Sequence, residues 1–214
     1  MTDLTAVDVL VNPDEATLGH AFAWNTRMRE SVPDGFALDA SHQPHITTLQ
    51  RYVRTADLDD AYDAVHRTLA ATDTSALSYQ SVGIRHADWG VPGQGLAVIL
   101  LRPGPQVLDF QAALLAAISP FTESGGTAAA FVTEPGEGIS QSTLDWVDGY
   151  VPAQIGPDRY TAHITVGFAT LDDLGAIEAE PFDAFTVRPT AVAAYQLGNS
   201  GAARKLLQAW PTPN

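Results

Sequence analysis

Apolar and polar residues alternate along "TAVDVLVNP", putting Val7, Val9 and Val11 on one face with the two-residue period of a strand. In "NPDE", Asn12 can cap a helix, Pro13 suits its first turn and Glu15 can close a capping box. The spacing predicts a helix from Pro13 to Ser31 with Leu18, Phe22 and Met28 on one stripe. "VPDGFALDASHQP" is a loop, and Pro44 leads into the strand "HITTLQRYV". Leu58, Tyr62, Val65 and Leu69 recur at helical spacing in "TADLDDAYDAVHRTLAAT". "SALSYQSVGIRH" and "LAVILLRP" read as strands on either side of "DWGVPGQG", and "PQVLDFQAALLAAI" as a helix with Phe110, Leu114 and Ala117 stacked.

Residues 119–160 are irregular, with a short helix predicted over "STLDWVDGYV", where Ser142 and Asp145 can form a capping box. The strand "YTAHITVGFA" follows, then a short helix capped by Thr170 with Asp173 three residues on. "FDAFTVRPTAVAAYQLG" reads as a long strand broken at Pro189, and "ARKLLQAW" as a closing strand or turn of helix. The order strand, helix, strand, helix, strand thus occurs over 1–86 and again over 94–200. A duplicated unit of this kind predicts a single α/β domain of the α+β type over 1–214. Its two lobes come mainly from the two repeats, and two antiparallel-rich sheets surround a central cleft with helices on the outer faces.

Composition narrows the chemistry. Apolar residues make up 45% of the 214, enough for a substantial core. With no cysteine, thiol nucleophiles, disulfides and thiolate metal sites are excluded. The first residues carry no basic region or long apolar core, so a signal peptide is not expected, and a cytoplasmic location is. A formal charge of −14, from 25 acidic and 11 basic groups, argues against broad docking on extended nucleic acid. It leaves room for one small phosphate in a locally basic pocket.

The two corresponding strands carry the same tripeptide, His45-Ile46-Thr47 in "SHQPHITTLQRYV" and His163-Ile164-Thr165 in "YTAHITVGFAT". Residues i and i+2 of a strand share a face, so each strand presents an imidazole beside a hydroxyl and turns its isoleucine the other way. Facing pairs suit phosphodiester cleavage. One neutral imidazole takes a proton, one imidazolium gives a proton to the departing oxygen, and hydroxyls donate to phosphoryl oxygens. A duplicated packing motif would leave the same trace.

At these tripeptides, "PHITTL" and "AHITVG", the chain resembles the 2H phosphoesterase superfamily, whose signature is two His-x-Thr/Ser motifs. That superfamily includes RNA 2′,5′-ligase-like proteins and cyclic nucleotide phosphodiesterases. The resemblance implies a bilobal fold with a central cleft, His45 and His163 as the acid/base pair, and Thr47 and Thr165 as phosphate ligands. It implies opening of 2′,3′-cyclic phosphates on nucleotides or RNA ends without a cofactor. Alternatives are 2′–5′ RNA ligation, 2′,5′-phosphodiester cleavage, or a non-enzymatic nucleotide-binding module. Residues 119–160 are longer than their counterpart and are candidates for a lid or substrate-selecting loop.

Arg159, four residues before His163, would share its side in an extended segment and can neutralise phosphate. Tyr160, Trp24 and Trp89 are further candidate substrate contacts, as are the loop aromatics Phe131, Trp146 and Tyr150. "HQPH" holds an i, i+3 pair, His42 and His45, that can begin a zinc site, but no third and fourth ligand stands at motif spacing. No metal is expected. The expected partner is a small nucleotide or a short RNA terminus bearing a cyclic phosphate.

Overall fold

A computed structural model describes residues 3–39 and 42–212. The elements are β1 (Leu4–Pro13), α1 (Glu15–Ser31), β2 (Ile46–Arg54), α2 (Leu58–Ala70), β3 (Tyr79–Ala87), β4 (Gln94–Pro103) and α3 (Pro105–Ile118). They continue with β5 (Thr122–Glu123), α4 (Gln141–Gln154), β6 (His163–Thr170), α5 (Leu171–Glu178), β7 (Thr186–Val187), β8 (Pro189–Leu197) and β9 (Ala203–Pro211). Ala40 and Ser41 of the predicted loop lie outside the described residues. Among the described residues no helix is long and apolar enough to cross a membrane.

Two antiparallel sheets form, one of 5 strands in the order β5-β2-β1-β8-β9 and one of 4 strands in the order β6-β4-β3-β7. The predicted two-sheet α+β architecture is therefore present, with one correction. Each repeat does not build its own sheet. The closing strand of each repeat crosses over: β3 pairs with β4, and β8 pairs with β1. The first helix of each repeat crosses as well, so that α1 packs on β6 and α3 on β2. α2 joins α3 on one face of β2, α4 packs on its other face against Tyr52 and Ala6, and α5 lies on the second sheet. One continuous core runs from Val7, Val9 and Val11 through Tyr79 and Tyr160 to Ile164 and Leu174.

Local readings are corrected in three places. The cap of α1 is Asp14, whose carboxylate accepts from the Thr17 amide at 2.8 Å, because Asn12 and Pro13 are still paired with β8. The cap of α4 is Ser140, whose hydroxyl accepts from the Thr143 amide, so the helix begins before the predicted Ser142. The break in the late strand falls at Arg188, where the chain leaves one sheet for the other, and Pro189 opens β8. "ARKLLQAW" is strand, and Thr170 caps α5 as expected.

The buried stripe of α1 also differs. It is Thr17, Ala21, Asn25 and Met28, while Phe22 is 44% exposed. Small and polar residues win because α1 lies very close to β6. A Cβ on Gly167 would stand 3.1 Å from both Asn25 Nδ2 and Met28 Cβ. Gly167 also has φ 133°, a conformation that side chains disfavour. Gly167→Ala should cost about 1–3 kcal/mol of stability, read as a lower urea midpoint with an unchanged slope.

Candidate active site

The same irregularity shapes both motif strands. Along the β1–β2 pairing Val9 faces Leu49 and Leu10 faces Thr47, leaving Thr48 as an extra residue. Along β4–β6 Ala97 faces Gly167 and Val98 faces Thr165, leaving Val166 as the extra residue. Each His-Ile-Thr is thus followed at once by a β-bulge, a device that re-aims neighbouring side chains. Thr47 comes to share a face with Asp8 and Leu10, and Thr165 lies beside Val98 with His163 beside Leu100. Ile46 and Ile164 point the other way and are fully buried, as expected.

A bulge leaves a carbonyl without its ladder partner, and a buried carboxamide serves each one. Asn25 Nδ2, on α1, donates to the Val166 carbonyl at 2.9 Å and to Phe36 O at 3.1 Å, while its Oδ1 accepts from the Leu38 amide at 3.0 Å. Gln111 Nε2, on α3, donates to the Thr48 carbonyl at 3.1 Å and to Gln154 O at 3.2 Å, while its Oε1 accepts from the Gly156 amide at 3.3 Å. Each carboxamide therefore ties the bulge of the other repeat to the loop that leads into its own repeat's motif. A third link is Tyr160, which precedes β6 and donates to the Thr47 carbonyl at 2.8 Å.

Both imidazoles are held alike. His45 Nδ1 lies 2.7 Å from the Gln43 carbonyl and His163 Nδ1 lies 2.7 Å from the Thr161 carbonyl. A carbonyl accepts only, so Nδ1 carries the proton and Nε2 is the nitrogen left for chemistry. Desolvation lowers the His163 pKa from its ordinary value, and the charge of His45 pushes the same way against the hydrogen bond to Thr161. His45 is thus near enough to His163 for its charge to oppose a second proton there.

The surroundings are not alike. Asp8 is fully buried in the middle of β1, and its Oδ2 accepts from Thr47 Oγ1 at 2.8 Å and Gln50 Nε2 at 3.1 Å. The Thr47 hydroxyl proton is therefore directed at Asp8. The Thr165 hydroxyl has no hydrogen-bond partner among the described residues and is free to donate to a bound anion.

The other predicted contacts are dispersed. Gly156–Tyr160 is a turn rather than an extended segment, so Arg159 does not share the side of His163 by strand parity; its guanidinium donates to Pro152 O at 2.8 Å. Tyr160 is buried in the clamp on Thr47, unavailable as a stacking platform. Trp24 stacks on Phe182 with Arg27 over its ring, on α1. Trp89 is 45% exposed in the β3–β4 connection. Within residues 119–160, Phe131, Ala130 and Val147 form a second core with Ala6, Tyr52 and Leu197. Tyr150 is buried, and Trp146 meets its ring edge-on from a more exposed position. Among the described residues no group of three or more metal-ligating side chains is gathered.

Sequence reasoning misses Asp8, Asn25 and Gln111. Asp8 is the acid interrupting "AVDVLV", and Gln111 falls on the buried stripe of Val107, Phe110, Leu114 and Ile118. A polar residue in an apolar stripe is the signal that could have found both. Gln111→Met, which keeps the volume but leaves the Thr48 and Gln154 carbonyls unserved, should cost about 1–3 kcal/mol in a chemical denaturation experiment.

No family model and no curated protein matches the chain. Solved structures of similar fold include TT0787 of Thermus thermophilus, 16% identical with a TM-score of 0.57 over 97% of each chain. They also include Usb1 of Kluyveromyces marxianus with uridine monophosphate, 9% identical with a TM-score of 0.48 over 96% of this chain and 98% of that one. LigT of E. coli complexed with 3′-AMP is 10% identical with a TM-score of 0.45 over 100% of each chain. Across 97% of its length, this chain has the fold of TT0787 of Thermus thermophilus.

Proposed function

We propose that the chain is a phosphoesterase of the 2H type that opens 2′,3′-cyclic phosphates of nucleotides or short RNA ends by two-histidine acid/base catalysis, without a metal. The observation that carries this reading is the matched pair of imidazoles, each with Nδ1 on the carbonyl two residues back and Nε2 left for chemistry. A group held this way takes a proton when neutral and gives one when charged, so the pair supplies both halves of a hydrolysis. Water attacks phosphorus while one Nε2 removes its proton, and the ribose oxygen leaves with a proton from the other. The Thr165 hydroxyl donates to a phosphoryl oxygen as charge builds there. In this reading Thr47 flanks the same phosphate, with its hydroxyl oriented by Asp8. The small size of such a substrate fits a chain of charge −14.

Hydrolysis of the four nucleoside 2′,3′-cyclic phosphates, measured with a chelator present, tests this. His45→Ala and His163→Ala should each lose about 10²–10⁴-fold in kcat/KM. Wild-type turnover that survives either substitution, or none on any of the four, would reject the reading. The lowered His163 pKa adds a pH expectation. Whichever role it fills, His163 is neutral above its folded pKa and gains its second proton only below the ordinary 6.5. If it is the base, activity is therefore retained as pH falls through 6.5 and is lost only at lower pH.

A further inference from the structure

Among the described residues Asp8 is the one carboxylate buried in the core, and no lysine or arginine pairs with it. One of its oxygens, Oδ1, is buried with no hydrogen-bond partner. The other stands 4.0 Å from His45 Nε2, the nitrogen left for chemistry. The groups around it are Thr47, Gln50 and His45 from the β2 side, Tyr195 opposite on β8, and Tyr150 from α4. Burial pushes the Asp8 carboxyl pKa up, and the charge of His45, Gln50 and Thr47 act against that rise. A buried acid kept in an apolar strand at this cost calls for a use. The second lobe has nothing equivalent: counted from the bulges, the position matching Asp8 is Leu96, which faces Phe168.

We propose that Asp8 divides the labour of the two histidines, making His45 the donor to the departing oxygen and leaving His163 as the base for water. The inference rests on the phosphodiesterase reading above. When His45 carries its second proton it has a countercharge 4.0 Å from Nε2; among the described residues His163 has no ion-pair partner, and the charge of His45 opposes its second proton. In the forward step a bond forms between the water oxygen and phosphorus, and the water proton passes to His163 Nε2. The bond from phosphorus to the ribose oxygen breaks, and that oxygen takes the Nε2 proton of His45. One water is consumed, and proton exchange with solvent restores both rings. Asp8 touches neither water nor phosphate, so it is a positioning residue that acts through His45 and Thr47.

The test is an NMR titration of both imidazoles, alongside pH profiles of kcat/KM on a cyclic phosphate, in the wild type, Asp8→Asn and Asp8→Ser. In the wild type His163 should lose its second proton at lower pH than His45. The gap should shrink by about one pH unit or more in the variants, the size of effect an opposite charge at this range produces. The alkaline limb of kcat/KM should move down by a matching amount with the acid limb in place. Because the Asp8 pKa is raised on folding, its ionised form opposes folding as pH rises through that pKa. Asp8→Asn should then melt no lower than wild type at pH 7, whereas a residue needed only for structure would melt lower. A reversed order in the wild type, or an unchanged gap in whichever variant folds, overturns the proposal. A shrinking gap in a protein that turns over no cyclic phosphate would overturn the substrate reading while supporting the link from Asp8 to His45.

Discussion

Asn25 and Gln111 each commit three hydrogen bonds to main chain that would otherwise be orphaned, and the geometry of the cleft follows from where those bonds go. The buried carbonyl that a β-bulge frees from the ladder needs another hydrogen-bond donor. Here the donor comes from a helix of the other repeat, α3 for the bulge after His45-Ile46-Thr47 and α1 for the bulge after His163-Ile164-Thr165. The same two side chains fasten the loops that lead into the motifs. The relative position of two imidazoles far apart in sequence is in this way referred to a few short bonds inside a close-packed core. Tyr160 adds a direct tie from one motif strand to the other. Burial holds the phenols of Tyr160 and Tyr79 protonated, that of Tyr79 up to a pKa of about 12, so this part of the frame does not change with pH in the working range.

On this symmetric frame the surroundings of the two histidines are asymmetric. The frame treats the motifs alike down to the carbonyl that each Nδ1 faces. The differences gather beside each motif strand, where the facing pair is Asp8 and Gln50 in one lobe and Leu96 and Phe168 in the other. Duplication supplies two equivalent groups, and substitution at a neighbouring strand is enough to make them inequivalent without moving either.

The motif strands, their isoleucine anchors and the two-sheet class are legible because period-two patterning and a repeated tripeptide are local signals. Local signals misplace the caps of α1 and α4 by two positions each, at α1 because pairing with β8, a partner from the far end of the chain, claims Asn12 and Pro13. Hydrophobicity alone assigns Phe22 to the core, yet α1 approaches β6 too closely for a large ring, a fact that depends on Gly167. The parity argument for Arg159 fails because Gly156 bends the chain at φ 106°. Asp8 and Gln111 stand in view as polar interruptions of apolar stripes, but what they bond to is set entirely by tertiary structure.

The crossing of β3 and β8 also governs how such a chain can be made. Val7 in β1 lies opposite Gln196 in β8, so the larger sheet keeps an open edge until almost the whole polypeptide exists. Pairings of such sequence separation are slow to close, since the loop entropy is lost before the contact forms. During synthesis the amino-terminal half would wait with β1 and β2 paired and α1 lacking the strand it covers. That makes the cleft a late product of folding, and it leaves the amino-terminal half exposed to misassembly from the emergence of His45 until β8 has followed His163.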